Sequence, residues 1–254
     1  MTTPKLQHDI SVSFDTARVP WEPLLFTGVP AGLEAKALRR LADGSLRSAI
    51  IRIPPQWSSQ AALRLRGGLQ CFVLSGEIAL DGRGLGTHAF FAGSSGSVLG
   101  TLSSGSGAEM IAIHEHFLGF EPISDESRSR DIEVIDNAFD VPPVTPEING
   151  AKLVGFERRV LWEDRSSGAD TRLLRIPGGF EGRGPNWHPV NEEIYHLAGA
   201  GGPDDTRKLD TGWYLWNPAF GVHGYHEHSV DGMTLLEWHD GKWAYNPYQP
   251  ATSA

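Results

Sequence analysis

At 254 residues the chain has room for one large domain or two modest ones, and with 40% hydrophobic and 21% charged residues it is not a disordered chain. Its 22 basic against 31 acidic side chains leave a net charge of −9 with no basic run, which argues against a nucleic acid or an anionic membrane as partner. Thirty glycines and seventeen prolines suit a fold of many turns and short strands.

The opening stretch MTTPKLQHDISVSFD lacks the apolar centre of a signal sequence, and no apolar run long enough to span a bilayer follows, so a cytoplasmic protein is expected. In chain order, the runs LRSAIIRI, CFVLSGEIAL, AEMIAI, TRLLRI, EEIYHLAG, GWYLW and MTLLEW are short and rich in β-branched and aromatic residues. Gly, Pro, Ser or Asp bound them, so they read as strands. Helical turns are expected only near 33–41 and 127–137. The single cysteine, Cys71, lies within one of these runs; it excludes an internal disulfide and reads as a small buried strand residue.

The chain also repeats. Arg52-Ile53-Pro54 returns as Arg175-Ile176-Pro177, Leu74-Ser75-Gly76 as Leu197-Ala198-Gly199, and Met110 as Met233, all at an offset of 123. Arg39-Arg40 against Arg158-Arg159 is offset by 119, and Phe14-Asp15-Thr16-Ala17 rhymes with Ile135-Asp136-Asn137-Ala138. The expectation is an all-β chain of two tandem domains: residues 1–120, a polar linker 121–135, and residues 136–254.

Candidate chemistry concentrates in the second copy. His188 is followed by Glu192 and then Gly199; Gly212, Pro218 and His223 come later. These residues resemble the two motifs of the cupin superfamily, G-x5-H-x-H-x3/4-E-x6-G and G-x5-P-x-G-x2-H-x3-N. There are departures: Asn186 stands in the first histidine position, the leading Gly is one place off at Gly179, Phe220 replaces a Gly, and Glu227 replaces the final Asn. The resemblance implies two double-stranded β-helix (jelly-roll) barrels, and looks closest to cupins akin to acetylacetone dioxygenase and to zinc-binding anti-sigma factors.

It further implies one divalent metal per chain, held by His188, Glu192, His223 and Asn186, with Fe(II) first and Zn, Ni or Mn as alternatives. Two imidazoles and a carboxylate suit such ions and leave positions open. Glu193 is the competing carboxylate, though only Glu192 keeps the spacing to Gly199. Strand alternation turns His196 inward with Glu192. His226 and His228 are candidates to complete the metal sphere or act as acid and base, Arg175 to pair a substrate carboxylate, and Tyr214, with Trp187, Trp216 and Tyr225, to line an aromatic pocket. His114 and His116 are expected in solvent.

At the same offset the first copy has Leu63, Leu65 and Leu69 where the second has Asn186, His188 and Glu192, so it is expected to have kept its barrel and lost its site. The implied activity is metal-dependent, Fe(II) dioxygenase-type C–C cleavage of a diketone, keto acid or aromatic. Lewis-acid chemistry in an isomerase, decarboxylase or hydrolase, or a non-catalytic zinc sensor, are the alternatives. The implied partners are a small-molecule substrate and a second copy in a homodimer.

Overall fold

The computed structural model describes residues 5–114, 119–123 and 131–249. Among them there is no α-helix, only strands and two 3-10 turns at Thr16–Arg18 and Ala138–Asp140, so nothing is long and apolar enough to cross a membrane as a helix. The stretch expected to turn helically near 33–41 is the strand Glu34–Arg40, whose partner Leu46–Ile53 is almost wholly buried. Of 127–137, residues 127–130 lie outside the described residues and Ile132–Ile135 is a strand.

The strands form two compact units, Val19–Asp140 and Met1–Arg18 with Val141–Ala254. These boundaries differ from the expected ones. Val12–Asp15 is the edge strand of the sheet that carries the second copy, paired with Trp213–Asn217. Ile132–Ile135, expected in a linker, pairs with Phe90–Gly93 in the first. Phe120–Ile123 also pairs, with Ala62–Leu65. The likeness between Phe14-Asp15 and Ile135-Asp136 is therefore structural: each marks the end of an edge strand that runs into a 3-10 turn. Polar composition suggested a linker, but an edge strand with one solvated face has the same composition.

The unit with the histidines has a six-stranded antiparallel sheet in the order Glu157–Asp164, Ala169–Ile176, Met233–His239, Glu192–Gly199, Trp213–Asn217, Val12–Asp15. A four-stranded sheet, Phe180–Glu181, His228–Ser229, Gly201–Asp204, Arg207–Leu209, completes the jelly roll. Leu209 of the second sheet packs with Ile194, Leu215 and Leu235 of the first to make a small core. The other unit has seven- and four-stranded sheets and a larger core containing Leu63, Leu65, Leu69 and Cys71, each at most 3% exposed.

Strand pairing fixes the true equivalence of the copies. Glu34 faces Arg52 as Glu157 faces Arg175, with ion pairs of 3.5 and 3.0 Å, so the offset of 123 begins at the first strand of each sheet. The doubled arginines at 39–40 and 158–159 are not counterparts. Gly76 pairs with Ala108 as Gly199 pairs with Met233, so the last strand is offset by 125 and Met233 answers to Ala108, not Met110. Gly199 explains the closing glycine of the motif: it has φ +75°, and a Cβ there would lie 2.2 Å from the Gly232 carbonyl oxygen.

His114, expected in solvent, is fully buried, and both ring nitrogens lack a hydrogen-bond partner; His116 lies outside the described residues. Burial, with the nearby Arg47 adding to it, lowers the His114 pKa to about 3. The unfolded chain then takes up a proton near pH 6.5 that the folded chain refuses until about pH 3. The stability His114 allows is complete above pH 6.5 and is lost as pH falls towards 3. Between pH 7 and 5 the loss should be about 2 kcal/mol. His114→Gln should remove that part of the acid sensitivity, read as the difference between denaturant midpoints at the two pH values.

Candidate metal centre

Strand parity organises the interior of the histidine-bearing unit. Across the six-stranded sheet, Asp170, His239, Glu192 and Asn217 form one inward row, by direct pairing. Two residues along lie Arg172, Glu237, Ile194 and Leu215, and beyond them Arg158, Leu174, Leu235 and His196. Rows two residues apart on a strand are separated by about 6.5 Å. Glu192 and Asn217 of the first row and the whole of the other two rows line one pocket, with Phe156, Phe180 and Met233 among its apolar walls.

His188 and Glu192, which line this pocket, meet His223; all three are buried, each offering a ligand atom within 4.8 Å of the others. His188 Nε2 lies 3.1 Å from His223 Nε2, and the Glu192 oxygens are 3.8 and 3.7 Å from the two. The other ring nitrogens are committed: His188 Nδ1 donates to the Ala244 carbonyl at 2.9 Å and His223 Nδ1 to that of Gly221 at 3.0 Å. In the neutral rings both Nε2 lone pairs therefore face one another, an arrangement that only a shared proton or a cation relieves. Burial lowers the His188 pKa to about 4, with Glu192 opposing, so the ring is neutral at pH 7 and free to ligate.

Glu192 is an anion held from three sides. Asn217 Nδ2 donates to Oε2 at 2.8 Å, Trp243 Nε1 to Oε1 at 3.0 Å, and His239 Nε2 to Oε1 at 3.2 Å. Burial works against its charge, yet His188, His239 and His223 keep its pKa well below the ordinary carboxylate range. Asn186 is buried beside them: its side chain bonds Glu227, and its Oδ1 has no partner, an acceptor left over for a cation or its water. The donor set, two neutral imidazoles, one carboxylate and one amide oxygen, fits a divalent transition metal.

Glu193 turns to the opposite face, where it accepts the Tyr214 hydroxyl at 2.8 Å. Tyr214 is thereby placed outside the pocket, against Phe14 and Trp238. Arg175 is exposed on that same parity and pairs with Glu157. His226 is on the surface, bonded through Nε2 to Glu181 at 2.7 Å and through Nδ1 to Asp205; His228 Nδ1 donates to the His226 carbonyl at 3.0 Å. None of these four candidates lines the pocket. The expected aromatic lining is also different: Tyr225 is exposed and Trp187 packs on Phe220, while Phe156, Phe180, Trp243 and Tyr245 take that position. Phe220, in a glycine position of the motif, has φ +62° and donates its amide to the His188 carbonyl.

Sequence reasoning missed the ion network beside the ligands. Arg172 Nε bonds Glu237 at 3.0 Å and its Nη1 reaches Asp170 at 3.4 Å. His239 Nδ1 lies 2.7 Å from Asp170 while its Nε2 meets Glu192, with Arg172 Nη2 also 3.5 Å from Nε2; a carboxylate at each end favours the charged ring. Burial and Arg172 oppose that charge, but the two carboxylates raise the His239 pKa above its usual value. The available signal was a charge at inward parity in an otherwise apolar run, Arg172 in TRLLRI and Glu237 in MTLLEW. Nothing local marked Trp243.

No family model and no curated protein matches the sequence. Solved structures do. A candidate dioxygenase from Nostoc punctiforme superposes with a TM-score of 0.82 at 19% identity, covering 94% of this chain and 87% of that one. YlbA of E. coli matches at 0.64 and 12% identity, covering 92% and 93%. Oxalate decarboxylase of Bacillus subtilis matches at 0.57 and 13%, covering 96% and 80%. At these identities the likeness is one of fold: the chain is an all-β jelly roll of the cupin kind.

Proposed function

We propose that the chain is a metal-dependent cupin enzyme acting on a small organic substrate, by Fe(II)-dependent dioxygenase-type C–C cleavage of a diketone, keto acid or aromatic. The observation that carries this reading is the facing pair of His188 and His223 Nε2 atoms beside the buried Glu192 carboxylate. Two imidazoles and one carboxylate on one side of a pocket are the donor set of non-haem iron oxygenases. The ion held there would polarise an enolisable substrate and, as iron, provide the redox chemistry with O₂.

The chain's own groups do the rest. Gly221 and Ala244 carbonyls fix the imidazole tautomers, so both ligands present Nε2 without rearrangement. Asn217, Trp243 and His239 fix the Glu192 carboxylate. The apolar walls keep water from the reacting end of the substrate. Glu227, across from the ligands and bonded to Asn186, is placed to hold a proton near substrate oxygen; burial raises its pKa, Glu192 and Glu237 add to that, and His223 opposes it.

The test is oxygen uptake by full-length protein reconstituted with Fe(II) without air, offered acetylacetone, phenylpyruvate and homogentisate. Uptake with at least one of them, abolished in Glu192→Ala, is expected. No uptake by iron-loaded protein with any of the three would count against the oxygenase reading.

A further inference from the structure

We propose that Arg158 is the substrate-anchoring residue of this pocket and that the substrate carries a carboxylate, which its guanidinium takes. The inference rests on reading the pocket as the substrate site, and it narrows the substrate to an acid.

The interior rows supply the argument. Arg158 pairs with Leu174 and so starts two rows, about 13 Å along the strands, from the row of Glu192. Its backbone is fully used, since its N–H and C=O both bond Val144. Its side chain lines the pocket, and its Nε is buried with no hydrogen-bond partner. A buried charged donor left unpaired is costly, more so than a neutral one, and native structures pair such groups.

The other arginines near the pocket are placed differently. Arg183 also lines it but is exposed to solvent. Arg172 is committed to Glu237 and Asp170. Arg159, on the other parity, bonds Glu157, as does Arg175. Asp170 feels the charge of Arg158, but it is already bonded to His239 and paired with Arg172, and it leaves the Arg158 Nε without an acceptor. An oxygen anion entering the pocket is the acceptor missing from this arrangement. A carboxylate suits it in shape, because guanidinium and carboxylate pair through two parallel bonds. A substrate seated this way keeps its acid end at Arg158. The carboxylate-pairing role expected of Arg175 thus belongs one strand over, on the inward face.

The experiment is calorimetric titration of full-length, metal-loaded protein with phenylpyruvate and with its methyl ester, which differ at the acid end by the charge and one methyl group. The wild type should bind the acid about tenfold or more tightly than the ester, as expected for one charge-assisted contact. Arg158→Gln should lose that preference through the acid alone, with ester affinity and metal content unchanged, and Arg158→Lys should keep part of it. No preference in the wild type, or a preference that survives Arg158→Gln, would overturn the assignment. So would its loss in Arg175→Gln. Oxygen uptake is read separately: an acid preference in metal-loaded protein that takes up no oxygen would refute the proposed reaction and leave the anchor standing.

Discussion

His188→Ala and His223→Ala should each lower the metal content of the purified protein from about one equivalent to near zero, without loss of β structure by circular dichroism. Losing even a partner of a ligand costs about 10–100-fold in metal affinity, and here a ligand itself goes from a set of three. Glu192→Gln should weaken binding comparably, because it removes the only carboxylate of the cluster. Glu193→Gln should leave metal content unchanged, since Glu193 faces Tyr214 on the opposite side of the sheet. His88→Ala, in the unit whose corresponding interior is filled by Leu63, Leu65 and Leu69, is a control with the same expected outcome. Metal retained by both histidine variants would refute the site.

The second large effect falls on stability. Arg172 is 7% exposed and is shared between Glu237 and Asp170. Arg172→Met leaves two buried carboxylates short of their cation, and breaking a buried pair from one side costs about 3–5 kcal/mol. That corresponds to a fall of roughly 10–20 °C in the melting temperature of a unit of this size. Arg172→Met with Glu237→Met should recover much of the loss, because Asp170 keeps His239 and no uncompensated charge remains at 237. A single variant that melts within a degree or two of the wild type would show that the network does not hold this sheet together.

The parts of this molecule that were legible in the sequence are those fixed by local pattern. Short β-rich runs marked the strands, and the spacing from His188 through Glu192 to Gly199 marked two members of the buried cluster, because Gly199 must approach the Gly232 backbone and so pins the strand that starts at Glu192. Parity correctly turned Glu192 and His196 inward; applied to Arg175 and Tyr214 it would have sent both to the other face. Proximity along the chain to His223 misled for His226 and His228, which lie past the turn and on the surface. What no local pattern carries is the cross-strand register. The contact between Arg172 and Glu237 joins residues 65 apart, and that of His239 with Glu192 joins residues 47 apart.

The same register explains His114. Leu69 pairs with His114 as Glu192 pairs with His239, so the two histidines occupy equivalent positions in the two units. In one unit Asp170 and Glu192 bond the ring; in the other their places are taken by Arg47 and Leu69, and the ring is buried with no partner. His114 is thus the positional counterpart of His239.

One metal centre is expected in the unit formed by residues 1–18 and 141–254, and elemental analysis of untagged, full-length protein tests it most directly. About one equivalent of a divalent transition metal per chain, iron after anaerobic reconstitution, is the predicted result. A chain that stays metal-free after reconstitution with Fe(II), Mn(II), Ni(II) and Zn(II) would contradict it.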